Sequence, residues 1–127
     1  MLVTPFYAAI FGLFFIYLSR QVIMARRKYQ VAIGDGDHVE LSRAIRAHGN
    51  FSEYVPFSLL LVYFAELQTQ SAWVAHIFCL ILLAGRVSHA YSISQVKEDF
   101  RFRVFGLAST FTVMGIGSLV ILVSAVM

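Results

Sequence analysis

The sequence predicts an all-α integral membrane protein, a four-helix up-down bundle, on three observations. Of its 127 residues, 59% are hydrophobic and only 13% charged, against about 25% charged in ordinary soluble domains. Apolar stretches near the length of a membrane span recur along the chain. The ten Lys and Arg residues collect around two connections instead of spreading over a surface. This composition excludes a disordered chain and fits a soluble globular domain poorly. The single cysteine, Cys79, excludes a disulfide framework and every multi-thiolate metal site. No Lys or Arg precedes the first apolar run, so the start does not read as a cleavable signal peptide, and that run is expected to remain in the mature protein.

Each helix can be justified in turn. Helix 1 is expected over about residues 3–25, uncharged from Val3 up to Arg20, whose long side chain can snorkel to the interface. Gly34-Asp35-Gly36-Asp37 is turn chemistry, and Asp37 with Glu40 fits a capping box that opens helix 2. The same run lacks the remaining ligands and closing Glu of a calcium loop. Helix 2, over about residues 38–67, is the difficult one. Its uncharged stretch, Tyr54 to Ala65, is too short to cross a bilayer, which takes about 20 residues. Either it is re-entrant, or the helix extends back through Glu53, Asn50 and His48 and carries polar groups into the membrane. Pro56 is expected to bend it. Helix 3 is expected over about residues 71–92, with Trp73 and His76 in the run before Arg86, and helix 4 over about residues 100–126, uncharged from Val104 onward.

Charge parity decides whether helix 2 crosses. Arg20, Arg26, Arg27, Lys28, Arg43 and Arg46 fall between helices 1 and 2, and Arg86, Lys97, Arg101 and Arg103 around the connection of helices 3 and 4. The N-terminus, the Gln68–Gln70 turn and the C-terminus have none. The positive-inside rule then puts both basic connections in the cytoplasm and both termini on the non-cytoplasmic side, which requires helix 2 to cross. The basic residues are thereby read as topology, and no nucleic-acid partner is expected. With no repeat or linker, residues 1–127 form a single domain.

The polar part of helix 2 is the candidate site. Arg43, Arg46, Asn50, Glu53 and Phe57 recur at spacings of three and four residues, which places them along one helical face. Ionisable groups at membrane depth are expensive against lipid and usually face protein or water. A network that merely glues helices together is the plain alternative. Convergence argues against it: the topology brings Arg86, His89, Arg101 and Arg103 to the same leaflet, where the cations outnumber Glu53. Excess guanidinium beside apolar walls suits an anionic, amphipathic ligand, since Arg holds carboxylates bidentately. A thin bundle has little room for an internal cavity, so the site is expected between the protomers of a homo-oligomer. Gly12, Gly106, Gly115 and Gly117 offer places for close helix approach. His76 is expected to be packed or hydrogen-bonded between helices, His38 exposed at a helix start, and Cys79 an inert small hydrophobe. No metal site is expected. Glu66 reads as a solvated boundary charge, and Lys97, Glu98 and Asp99 as a solvated loop with Asp99 a candidate cap.

The run Arg46-Ala47-His48-Gly49-Asn50-Phe51-Ser52-Glu53-Tyr54-Val55-Pro56 resembles the helix-2 signature of the MAPEG family, the membrane-associated proteins in eicosanoid and glutathione metabolism. Ala25-Arg26-Arg27 after helix 1, Gly85-Arg86-Val87-Ser88-His89-Ala90-Tyr91 closing helix 3 and Arg103-Val104 opening helix 4 follow in the family's order. The resemblance covers essentially the full length. It implies a homotrimer in a bacterial inner membrane, with glutathione as co-substrate bound between adjacent subunits near the cytoplasmic face. By the same resemblance Arg26 and Arg46 would hold the tripeptide's carboxylates and Glu53 its ammonium group, while Asn50, Tyr54, Arg86 and His89 supply further contacts. Arg103 matches an arginine that stabilises the glutathione thiolate in one branch of the family, and so is the candidate catalytic residue. Of two helix-3 tyrosines that contact glutathione in that branch, one is replaced here by His89 and the other by Ile93. The implied function is a glutathione-dependent transferase or peroxidase acting on lipophilic electrophiles. The alternative is a non-catalytic lipid- or ligand-binding protein of the same fold. A small four-helix drug exporter would need a membrane-embedded carboxylate in helix 1, and none lies between Met1 and Ser19.

Overall fold

The computed structural model describes residues 2–126, and these form four helices in up-down order: α1 (Thr4–Tyr29), α2 (Val39–Thr69), α3 (Ala72–Ser94) and α4 (Phe100–Val126). At 1.5 Å per residue, even the 23-residue α3 is about 35 Å long, enough for a hydrocarbon core of about 30 Å. Helices α1, α3 and α4 also have the hydropathy of membrane spans. Helix α2 falls short of that because its first half is polar, yet its 31 residues run unbroken through Pro56. The chain is a multi-pass integral membrane protein. Large apolar side chains point outward all round it, among them Leu13, Ile16, Trp73, Leu119 and Leu122, which suits lipid as the solvent.

Helix α2 is the centre of the bundle and packs on the other three, whereas α1 barely touches α3. Its inward residues Phe51, Val55 and Val62 meet Phe11 of α1, Leu82 of α3 and Val113 of α4 in one buried cluster. The closest pair is α3 with α4, and two glycines make that approach possible. A Cβ on Gly106 would stand 2.6 Å from the Gly85 carbonyl oxygen and from the His89 Cβ, and one on Gly85 would stand 2.7 Å from the Ser109 Cβ. The other expected close-approach glycines behave differently: Gly12 and Gly115 face open space, and Gly117 makes ordinary contact with Leu61.

Helix α1 carries Pro5 in its first turn and Arg26, Arg27 and Lys28 in its last, an arrangement that complements the helix dipole. The expected capping box at α2 does not form. The helix starts at Val39 with His38 as its cap, Asp37 takes a left-handed conformation one position too early, and no side chain caps the first turn. Glu40 instead accepts from Lys28 Nζ and Tyr29 Oη, each at 2.6 Å, because a full charge is a better partner than a backbone N–H. His38 is half-buried and stacked on the Tyr29 ring. At α4, Asp99 does cap as expected: its Oδ1 accepts the Arg101 N–H at 3.0 Å.

Glu66 is not solvated. It is 3% exposed, and its carboxylate accepts the backbone N–H of Val3, that of Thr4 at 2.9 Å and the Thr4 hydroxyl at 2.6 Å. The first N–H groups of α1 lack intrahelical partners, and an anion at that end also meets the positive pole of the dipole. His76 lies nearby on α3, with Nδ1 3.0 Å from the Tyr7 hydroxyl, and Cys79 is fully buried among apolar neighbours.

Candidate functional site

The ends of α1 and α3 and the beginnings of α2 and α4 share one end of the bundle, and the cations gather there. Helix α2 presents two different faces to them. At about 100° per residue, Arg46 and Glu53 are about 20° apart around the helix, whereas Asn50 is offset by about 40° from one and 60° from the other. Arg46 and Glu53 therefore pair on the outer surface, at 3.0 and 3.3 Å, with the bridge passing over Gly49. Both are half exposed, at 51% and 49% of their side chains. Asn50 turns inward and is buried. The single polar stripe expected from spacing is thus two faces, one looking out and one looking in.

On the inner face Asn50 Oδ1 accepts from Arg86 Nη1 at 2.7 Å, and Arg86 Nη2 donates to the Gly106 carbonyl at 2.7 Å. One guanidinium thereby ties α2, α3 and α4 together where α3 and α4 lie closest. Arg86 is 1% exposed and forms no ion pair among the described residues, and its Nε has no hydrogen-bond partner. His89, one turn on, is buried against Gly106. Tyr54 is half-buried, edge-on to Phe111 of α4 at 5.5 Å.

Arg103 opens onto a residue that sequence reading misplaced. Glu98, expected in a solvated loop, has only 6% of its side chain exposed. It takes Arg103 Nη1 at 3.4 Å, Arg43 Nη1 at 3.2 Å and the Ser92 hydroxyl at 3.3 Å. Burial pushes its pKa up, but the hydrogen bond from Arg43, the Arg103 charge and the Ser92 hydroxyl outweigh this and hold the carboxyl below its ordinary value. Arg43 also donates to the Ile93 carbonyl at 3.1 Å, closing the end of α3. The available signal was charge: the acids of this end face a larger number of arginines, so a shared counter-ion was to be sought among them.

Arg26 stands apart from this group within the chain. Its guanidinium donates to the carbonyls of Val31 and Gly34, at 3.3 and 2.9 Å, and so fixes the α1–α2 connection. The other expected residues fall into three clusters: Arg46 with Glu53, Asn50 with Arg86 and His89, and Arg103 with Glu98. Arg43 and Arg103 share Glu98, Arg46 holds Glu53, and Arg86 has no carboxylate partner among the described residues, so these four guanidinium groups exceed their carboxylates by two charges.

Comparison with known proteins places the chain among membrane proteins. The inner membrane protein YecN of Escherichia coli K12 is 38% identical over 109 residues, which cover 86% of this chain and 82% of that protein. The protein of the same name from Escherichia coli O6:H1 gives the same figures. Residues 4–121, from the start of α1 nearly to the end of α4, match the MAPEG family as a whole. That match, which spans nearly the whole chain, and the 38% identity to YecN show that the chain belongs to the MAPEG family, whose members are in general associated with glutathione.

Proposed function

We propose that this protein binds glutathione at the basic end of the bundle and uses its thiolate to attack lipophilic electrophiles, as a membrane-bound transferase or peroxidase of a bacterial inner membrane. One observation carries the reading: Arg43, Arg46, Arg86 and Arg103 together exceed their carboxylate partners, Glu53 and Glu98, by two charges. Glutathione has two carboxylates and one ammonium, and gains a further negative charge when its thiol ionises. The thiolate form therefore matches the uncompensated charge in sign and number. Arg103 is the catalytic residue in this reading, since a nearby guanidinium favours a thiolate over a thiol whose ordinary pKa is about 8.5. Glu53 supplies the acceptor for the ammonium group, and Arg46, Asn50, Tyr54, Arg86 and His89 complete the binding set, with Arg26 contributed across a subunit boundary.

Assembly as a homotrimer, with the site between subunits, is part of the same proposal. A half-exposed Arg46–Glu53 pair on a membrane helix is costly against lipid, and a neighbouring subunit supplies the missing cover. Access for an apolar substrate is supported by a lateral groove of about 640 Å³ between α1 and α3, floored by α2. Phe14, Leu18, Leu83 and Val87 line its apolar part and Arg43 its rim.

Solubilised protein is expected to conjugate glutathione to chlorodinitrobenzene: the sulfur–carbon bond forms as chloride leaves. Arg46→Ala should weaken glutathione binding about tenfold, a loss typical of one charged hydrogen-bonded contact. Absence of saturable glutathione binding at millimolar concentration would overturn the proposal. A non-catalytic binder of the same fold is the second reading, favoured by the partial neutralisation of Arg103 by Glu98. Thiolate absorbance on adding glutathione separates the two, because an inert pocket leaves the thiol protonated near neutral pH.

A further inference from the structure

A second groove, of about 810 Å³, runs along the outer surface between α3 and α4. Leu80, Ala84 and Val87 form one wall, and Phe102 and Phe105 the other. Both helices have the hydropathy of membrane spans, so the groove opens sideways into the acyl region. From Ser88 to Leu80 it extends about 12 Å at 1.5 Å per residue, most of the roughly 15 Å that one leaflet's hydrocarbon occupies. Ser88 turns its hydroxyl onto the Phe102 carbonyl at 2.9 Å, which removes a polar group from the wall.

Arg101 lies at the basic end of this groove and is exposed. Among the described residues its guanidinium has no carboxylate within ion-pair distance, whereas Arg43 and Arg103 share Glu98 and Arg46 holds Glu53. The neighbouring Asp99 is engaged on the backbone N–H of Arg101. An apolar channel of nearly a leaflet's depth, ending in an unpaired cation at the headgroup level, has the shape and charge of an anionic phospholipid. A zwitterionic lipid would bring its own ammonium to the same place.

We propose that the α3–α4 groove is a binding site for an anionic phospholipid, with an acyl chain lying between Leu80 and Phe105 and the phosphate on Arg101. The site does not use Arg46 or Glu53, and it adjoins the α1–α3 groove along Leu83, Val87 and Tyr91.

Native mass spectrometry of the full-length protein, offered equal amounts of phosphatidylglycerol and phosphatidylethanolamine with identical chains, tests it. The protein should retain phosphatidylglycerol over phosphatidylethanolamine by about fivefold, the discrimination expected of one interfacial cation. Arg101→Gln should abolish that preference and Arg101→Lys restore it, while Ala84→Trp, which fills the groove, should lose both lipids. Equal retention of the two lipids by the unaltered protein would overturn the proposal. So would an undiminished preference in Arg101→Gln, or full lipid occupancy in Ala84→Trp. Both positions are exposed, so folding is preserved in the variants, and no readout involves glutathione.

Discussion

Glu98 and Arg86 solve the same electrostatic problem in opposite ways. Glu98 is a buried anion shared by two arginines, and Arg86 is a buried cation satisfied by an amide and a carbonyl without a counter-charge. The Glu98 carboxyl sits below its ordinary value of 4.5 in the folded protein because Arg43, Arg103 and Ser92 outweigh its burial. A depressed folded pKa gives stability that is complete above the unfolded value and is lost as pH falls through the folded one. Thermal unfolding in detergent should therefore show a midpoint that drops on acidification below about pH 4.5. Glu98→Gln should start lower at neutral pH, with Arg43 and Arg103 unpaired, and should show a shallower acid decline. Parallel curves for the two proteins would refute this assignment. Sequence reading placed this residue in a solvated loop, because its partners come from three different helices and its neighbours Lys97 and Asp99 read as loop. Arg86 was legible as important, but its inward aim depends on the α3–α4 distance, which no residue spacing reveals.

At the scale of the element, that distance is set by Gly85 and Gly106. The carbonyl of Gly106 accepts from Arg86, and its missing side chain admits the Gly85 backbone, so one residue serves both the packing and the clamp. Gly106→Ala places a methyl 2.6 Å from a backbone oxygen, an obstacle no rotamer relieves. It should cost about 1–3 kcal/mol of stability, as overpacking does. Gly115→Ala meets open space and should be neutral or stabilising by up to about 1 kcal/mol through helix propensity. Unfolding of the two variants in detergent should rank them in that order, and equal stabilities would show that the close approach is not needed. Helices α1, α3 and α4 were legible from hydropathy, and α2 from charge parity when its own hydropathy failed. Of the local caps, Asp99 formed as read while the Asp37–Glu40 box lost Glu40 to Lys28 and Tyr29, and Glu66 caps α1 from across the bundle, beyond any local pattern.

For the whole molecule, the governing fact is that α2 is the central helix and still carries a half-exposed ion pair. A single bundle with Arg46 and Glu53 facing acyl chains would have to desolvate both charges, and an exposed geometry gives them too little attraction to offset that. In the proposed assembly a neighbouring subunit covers the pair and removes that cost. A spin label at Glu53→Cys, in a chain whose own Cys79 is buried and unreactive, reports what covers this position. In the assembled protein it should show low accessibility to oxygen dissolved in lipid, while a label at Leu119→Cys, on an outward face of α4, should show high accessibility. Equal lipid accessibility at the two positions would mean that the pair faces the bilayer after all, and a site walled by a second subunit would then be untenable.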